Sequence, residues 1–153
     1  MTPAISVRTA NVADIAAIVS IEALSKSVTW APSGFLEELS KNNSLNLIAE
    51  ERLSLAVGFL LSECVLDECC INTIAVSPAF RRRGIAKKLI ESLFSIAKQR
   101  GIVSIHLEVR SKNLAAIALY NAMGFCSCGV RKAYYNDTGE DALLMCHKEP
   151  QCL

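Results

Sequence analysis

Apolar positions along this chain follow two periods, and the switches between them outline its elements. Ile5 to Arg8 alternates and predicts a short first strand. Val12 to Leu24 changes to helical spacing, with Ile15, Ile18 and Val19 on one face and Asn11 placed as a cap. Pro32-Ser33-Gly34 punctuates the chain before a short second helix, Phe35 to Ser40. Leu45 to Glu50 and Leu53 to Leu66 read as strands joined by a tight turn near Glu51 and Arg52, an antiparallel hairpin. Cys69 to Val76 predicts the next strand, and Gly84 to Arg100 the longest helix. That helix turns Ile85, Leu89, Leu93 and Ile96 inward, and Gly101 stops it. Ile102 to Val109 is again a strand, and Asn113 to Met123 a helix closed by Gly124. Phe125 to Tyr134 and Ala142 to His147 form the last two strands, around the turn Asn136-Asp137-Thr138-Gly139.

The unit from Ile71 to Val109 is strand, helix, strand, and such a crossover makes its two strands parallel. The other strands are hairpin-connected. The pattern therefore predicts one mixed α/β domain over 1–153, its sheet flanked by helices. At 52% hydrophobic and 20% charged residues, the 153-residue chain is globular in composition and can bury a substantial core. The first eighteen residues lack a basic stretch followed by an apolar one, so no secretory leader is expected. Leu53 to Leu66, broken by Ser54, Gly58, Ser62 and Glu63, falls short of the roughly 20 apolar residues of a membrane span. A cytoplasmic protein with no membrane partner is the expectation, and the sequence sets no oligomeric state.

A net charge of +1 excludes a surface that seeks nucleic acid as a whole, so basic chemistry must be local. It is concentrated at Arg81-Arg82-Arg83-Gly84-Ile85-Ala86, between a strand and a helix. A helix N-terminus offers unpaired N–H groups and partial positive charge, and arginines add forked donors, so a phosphorylated cofactor is expected there. The seven cysteines are odd in number and contain no CxxC. Cys69 and Cys70 point to opposite strand faces, and Cys126 and Cys128 share a face without a nearby histidine pair. Core packing rather than metal is the expectation for them.

P-loop, dinucleotide, zinc-protease and hydrolase-elbow motifs are absent. His106, mid-strand among apolar residues, reads as structural. Glu108 lies near the C-terminal end of its strand, where α/β sheets build sites. It is either a proton acceptor or the partner of Arg110, two residues on along the same face. Asn113, Ile117 and Tyr120 share one helix face, with the outer two about 10 Å apart along it. Singly, Asn113 is a cap and Tyr120 a core aromatic with a wet hydroxyl.

Together these segments resemble the GNAT acetyltransferase family over nearly the whole chain. Arg81 to Ala86 matches its signature [QR]xxGx[GA], with Ala86 in place of the commoner second glycine. Leu107-Glu108-Val109-Arg110, Asn113 to Tyr120 (NLAAIALY), Gly124-Phe125, Arg131 to Tyr135 and Gly139 to Ala142 are similar to its ribosomal-protein-alanine N-acetyltransferase branch. The resemblance implies a predominantly antiparallel sheet whose central parallel pair splays apart, and acetyl-CoA as co-substrate without a metal. It implies Glu108 as general base, Tyr120 as general acid and Asn113 as a cofactor contact. The pantetheine arm would follow Ile74, Ala75 and Val76, and the pyrophosphate would sit on Arg82, Arg83, Gly84, Ile85, Ala86 and Lys87. The implied acceptor is a protein N-terminus, that of a ribosomal protein foremost. The loop Ser25 to Phe35 and the turn Tyr134 to Asp141 would line its groove, with Trp30 and Tyr134 at the flanks. Direct transfer is expected, since no cysteine has a histidine placed by sequence to activate it. A small-molecule amine or other protein N-termini as acceptor, or a non-catalytic CoA-binding module, are the rival expectations.

Overall fold

The computed structural model describes residues 4–25 and 31–148. Among the described residues seven strands and four helices follow one another as β1 (Ser6–Thr9), α1 (Ile15–Ser25), α2 (Pro32–Ser40), β2 (Leu47–Glu51), β3 (Leu55–Val65), β4 (Glu68–Val76), α3 (Ile85–Gln99), β5 (Ser104–Arg110), α4 (Leu114–Ala122), β6 (Cys126–Arg131) and β7 (Ala142–Lys148). The strands form one sheet in the order β1-β2-β3-β4-β5-β7-β6. The β4–β5 pair is parallel and the other described pairs are antiparallel, as the crossover rule requires.

Local chemistry shifts several element ends from their expected places. The helix expected from Val12 opens as a 3₁₀ turn, Val12–Asp14, tied by reciprocal bonds. Asn11 Oδ1 accepts from Ala13 N at 2.9 Å, while Asp14 Oδ2 accepts from Asn11 N at 2.9 Å. The strand expected from Leu53 starts at Leu55, after a 3₁₀ turn over Arg52–Ser54. The strand expected to reach Tyr134 ends at Arg131, and Ala133 follows with φ 49°. α2 begins at Pro32, three residues early, with proline in the first turn where its missing N–H costs nothing.

Two apolar layers cover the sheet. On one face Ile85, Leu89, Ile90 and Leu93 of α3 and Tyr120 of α4 pack on Leu47, Leu60, Ile71, Leu107 and Met145. On the other, Ile18, Ile21 and Phe35 of α1 and α2 pack on Ile48, Phe59, Leu61 and Ala75. Ile96, expected inward, is only half-buried, and Ala97 takes its place in the core.

β4 serves both layers because it carries a bulge. Leu61 and Ser62 of β3 oppose Thr73 and Ile71, so Asn72 is an extra residue. An extra residue reverses the alternation: Ile71 faces α3, whereas Ala75 faces α1. A bulge also bends its strand. Parallel pairing with β5 runs from Glu68↔Ser104 to Ile71↔Leu107 and stops at this point. β4 continues to Val76 and β5 to Arg110, so the two strands part at the middle of the sheet.

Candidate active site

The parted strands open into a cavity of about 1120 Å³. Ile74, Ala75 and Val76 form its β4 wall, Glu108, Val109 and Arg110 its β5 wall. Arg81, Arg82 and Gly84 to Lys87 close one end, and Asn113, Ala116 and Tyr120 of α4 close a side. Thr73, which the sequence did not single out, also lines it and is 6% exposed. Its Oγ1 is, among the described residues, the buried side-chain oxygen or nitrogen without a hydrogen-bond partner.

The end of the cavity at the start of α3 is built by backbone. After Val76 a short 3₁₀ turn, Pro78–Phe80, breaks the strand, and α3 begins behind Gly84. Gly84 holds φ 74°, and an added Cβ would meet nothing within 4 Å, so glycine is needed here for the left-handed backbone alone. No side chain caps α3, which leaves the N–H groups of its first turn facing the cavity end. Arg82 also lines the cavity, with φ 64°. Arg83 is not among the lining residues: its guanidinium lies over the Phe80 ring, 5.0 Å from the centroid. Of the expected cofactor residues, Arg83 is the one the structure does not bring to the cavity wall.

At the other end Glu108, with 29% of its side chain exposed, pairs with Arg131 Nε at 3.2 Å. It does not pair with Arg110, the alternative open in the sequence. Arg110 bonds both oxygens of Asp137, at 3.1 and 3.0 Å, and its guanidinium lies 4.0 Å from the Tyr135 ring centroid. The turn after β6 therefore supplies partners that strand spacing does not show. Tyr134 and Tyr135, edge to face at 5.1 Å, also line the cavity. The charge of Glu108, then a hydrogen bond to it, raises the pKa of the Tyr134 hydroxyl.

Tyr120 is 7% exposed and packs against Phe125 at 5.8 Å between centroids. Burial, then the neighbouring Tyr135, pushes its hydroxyl up to about 12, so it keeps its proton across the physiological range. Asn113 combines two roles the sequence kept apart. Its Oδ1 caps α4 by accepting from Ala116 N at 3.2 Å, and the residue lines the cavity. Ser25 lines the cavity too, while Trp30 lies outside the described residues.

Residues 15–125 match the acetyltransferase (GNAT) family. The chain is 36% identical over 135 residues to the ribosomal protein bS18-alanine N-acetyltransferase of Salmonella typhimurium, covering 86% of this chain and 89% of that protein. Among solved structures it is similar to the ribosomal-protein-S18-alanine N-acetyltransferase of Escherichia coli, with TM-score 0.89 and 30% identity over 98% of this chain and 99% of the other. The PaiA N-acetyltransferase of Thermoplasma acidophilum, solved with coenzyme A, shares the fold at TM-score 0.80 and 17% identity, covering 95% and 99% of the two chains.

Proposed function

The chain belongs to the GNAT acetyltransferases and is an acetyl-CoA-dependent N-acetyltransferase; from that premise we propose that it acetylates the N-terminal α-amine of a protein. The N-terminal alanine of ribosomal protein bS18 is the foremost acceptor, by similarity to relatives that carry that activity in their names. The observation that carries this reading is the parted β4–β5 pair. It puts a helix start without a side-chain cap, a carboxylate and a buried phenol around one cavity.

The first turn of α3, with Arg82 and Lys87, holds the pyrophosphate through backbone N–H groups and positive charge. The pantetheine arm runs along Ile74 to Val76, where β4 has no β5 partner. The Val76 N–H polarises the thioester carbonyl. An acceptor amine arrives as an ammonium and must shed a proton before it attacks. At neutral pH this costs about 1 kcal/mol for an α-amine of pKa near 8, but several kcal/mol for a lysine near 10.4. A carboxylate such as Glu108, acting directly or through water, accepts that proton.

The nitrogen then bonds the thioester carbon, the carbon–sulfur bond breaks with its electron pair leaving on sulfur, and the nitrogen's second proton passes through water to that sulfur, leaving an amide and a free thiol. Tyr120 meets the developing charge. Because its hydroxyl lies near 12 and a thiol near 8.5, complete proton transfer is uphill. Its contribution is a hydrogen bond that strengthens as charge grows on sulfur.

The test is thiol release from acetyl-CoA with an Ala-starting peptide taken from a bS18 N-terminus. A matched peptide with a blocked α-amine and a free internal lysine runs beside it. Turnover confined to the free α-amine is expected. Turnover of the blocked peptide, or of neither peptide while small amines are acetylated, overturns the acceptor assignment.

A further inference from the structure

His106, Cys128 and Cys146 lie outside the cavity, yet the sheet gathers them at one point. One ring nitrogen and two sulfurs all fall within 4.8 Å of one another. Register, not spacing along the chain, makes this cluster. His106 on β5 stands directly opposite Cys146 on β7, and residues so paired share a face with Cβ atoms about 5 Å apart. Cys126 on β6 stands opposite Cys146 in turn. Cys128 is the extra residue of a β6 bulge, between the pairs Ser127↔Met145 and Gly129↔Leu144. Unpaired in the ladder, it turns its thiol to that of Cys146. Ser104 Oγ lies 3.1 Å from His106 Nε2 and orients the ring.

We infer that His106, Cys128 and Cys146 form a Zn²⁺ site. Two sulfurs and an imidazole suit a borderline-soft d¹⁰ cation and do not suit oxygen-seeking Mg²⁺ or Ca²⁺. Three protein ligands leave a fourth position for water or for the exposed thiol of Cys126, which stands on the same row as Cys146. Coordination replaces two S–H bonds with two S–Zn bonds and releases two protons to solvent; no electron is transferred. Two thiolates neutralise the cation's charge, so the half-exposed location carries little electrostatic cost. Occupancy ties β5, β7 and β6 together. His106 stands two residues before Glu108 on the same strand face, roughly 7 Å along it, so the site borders the acceptor end of the cavity.

The whole 153-residue chain, reduced, stripped by a chelator and desalted without acetyl-CoA, is titrated with Zn²⁺ against a chromophoric chelator. Co²⁺ serves in parallel as an optical stand-in. One equivalent of Zn²⁺ is expected, and the Co²⁺ form should carry the intense visible bands of a tetrahedral thiolate complex. His106→Ala and Cys146→Ser should each weaken Zn²⁺ binding by roughly 100-fold or more, beyond the loss of an outer-shell hydrogen bond. Cys128→Ser, at an exposed position, gives the same answer without disturbing packing. Cys64→Ser, on the β3–β4 hairpin, should leave binding unchanged. Acetyl-CoA binding by each variant verifies that it is folded. Failure to take up one equivalent, uptake indifferent to Cys128→Ser and Cys146→Ser, or an equal loss in Cys64→Ser overturns the site.

Discussion

Glu108 and Tyr120 face one cavity with different surroundings, and their variants separate two roles. Removing the proposed proton acceptor in Glu108→Gln should lower kcat by about 10²- to 10³-fold and leave acetyl-CoA affinity unchanged. Tyr120→Phe should lower kcat by about 10²-fold through loss of the proposed donor to the leaving sulfur. Steady-state kinetics at saturating peptide decide both; an unchanged kcat in either variant removes that residue from the chemistry. Tyr120 also makes a prediction that needs no substrate. Its folded pKa of about 12 lies above the ordinary value of 10, so the folded state holds the phenol proton more tightly. The stability this confers is fully present below pH 10 and is lost as pH rises from 10 through 12. Two pKa units correspond to roughly 2–3 kcal/mol at most. Urea melts of wild type and Tyr120→Phe between pH 9 and 12 should therefore show a steeper alkaline decline in wild type. Parallel declines would mean that the hydroxyl is solvated.

Among elements, the start of α3 and the 3₁₀ turn before α1 show how local chemistry sets both stability and site. Gly84→Ala places a Cβ in open space but demands a left-handed backbone, a cost of about 1–2 kcal/mol. It should lower the denaturation free energy by that amount and raise KM for acetyl-CoA, with kcat little changed. Equal stability would mean that the turn adopts another backbone in solution. At the other turn, Arg8 donates to both oxygens of Asp14, at 2.9 and 2.7 Å, and holds its carboxyl below the usual range. Stability from this contact is present above the ordinary aspartate value near 3.9 and is lost as pH falls through the lowered one. Asp14→Asn should cost about 1 kcal/mol at pH 7, and its deficit should shrink below pH 4. A pH-independent deficit would assign the loss to the amide's geometry. The sequence showed Asn11 as a cap and Gly84 as a turn residue, because both act within four positions along the chain. It did not show Arg8 meeting Asp14 and Glu50 together, since that depends on β1 lying beside β2.

Over the whole molecule, legibility follows the range of the interaction. The parallel β4–β5 pair was readable from one strand–helix–strand unit, and hairpins supplied the antiparallel remainder. The Arg81 to Lys87 turn was readable as a motif, Glu108, Tyr120 and Ile74 to Val76 only through the family resemblance, and the structure places most of them around one cavity. Less legible was what depends on register. The bulge at Asn72 that reverses β4, the Arg131 partner of Glu108 and the His106–Cys128–Cys146 cluster all rest on strand pairings that no periodicity shows.

The open centre of the sheet has a thermodynamic consequence. β4 and β5 forgo mutual hydrogen bonds beyond Ile71↔Leu107, and a ligand seated between them adds contacts to the folded state alone. By mass action, acetyl-CoA at about 100 times its dissociation constant should stabilise the fold by about 2.7 kcal/mol. For a chain of this size that is a rise in Tm of roughly 5–10 °C. Calorimetry with acetyl-CoA should give this rise in wild type and an undiminished one in Glu108→Gln, whose change lies at the acceptor end. Arg82→Ala with Lys87→Ala should reduce it sharply, and added salt should do the same in wild type by screening the anion end. An equal rise in the double variant would take the pyrophosphate away from the start of α3. Loss of the rise in Glu108→Gln would mean that the carboxylate holds the cofactor and not the amine's proton.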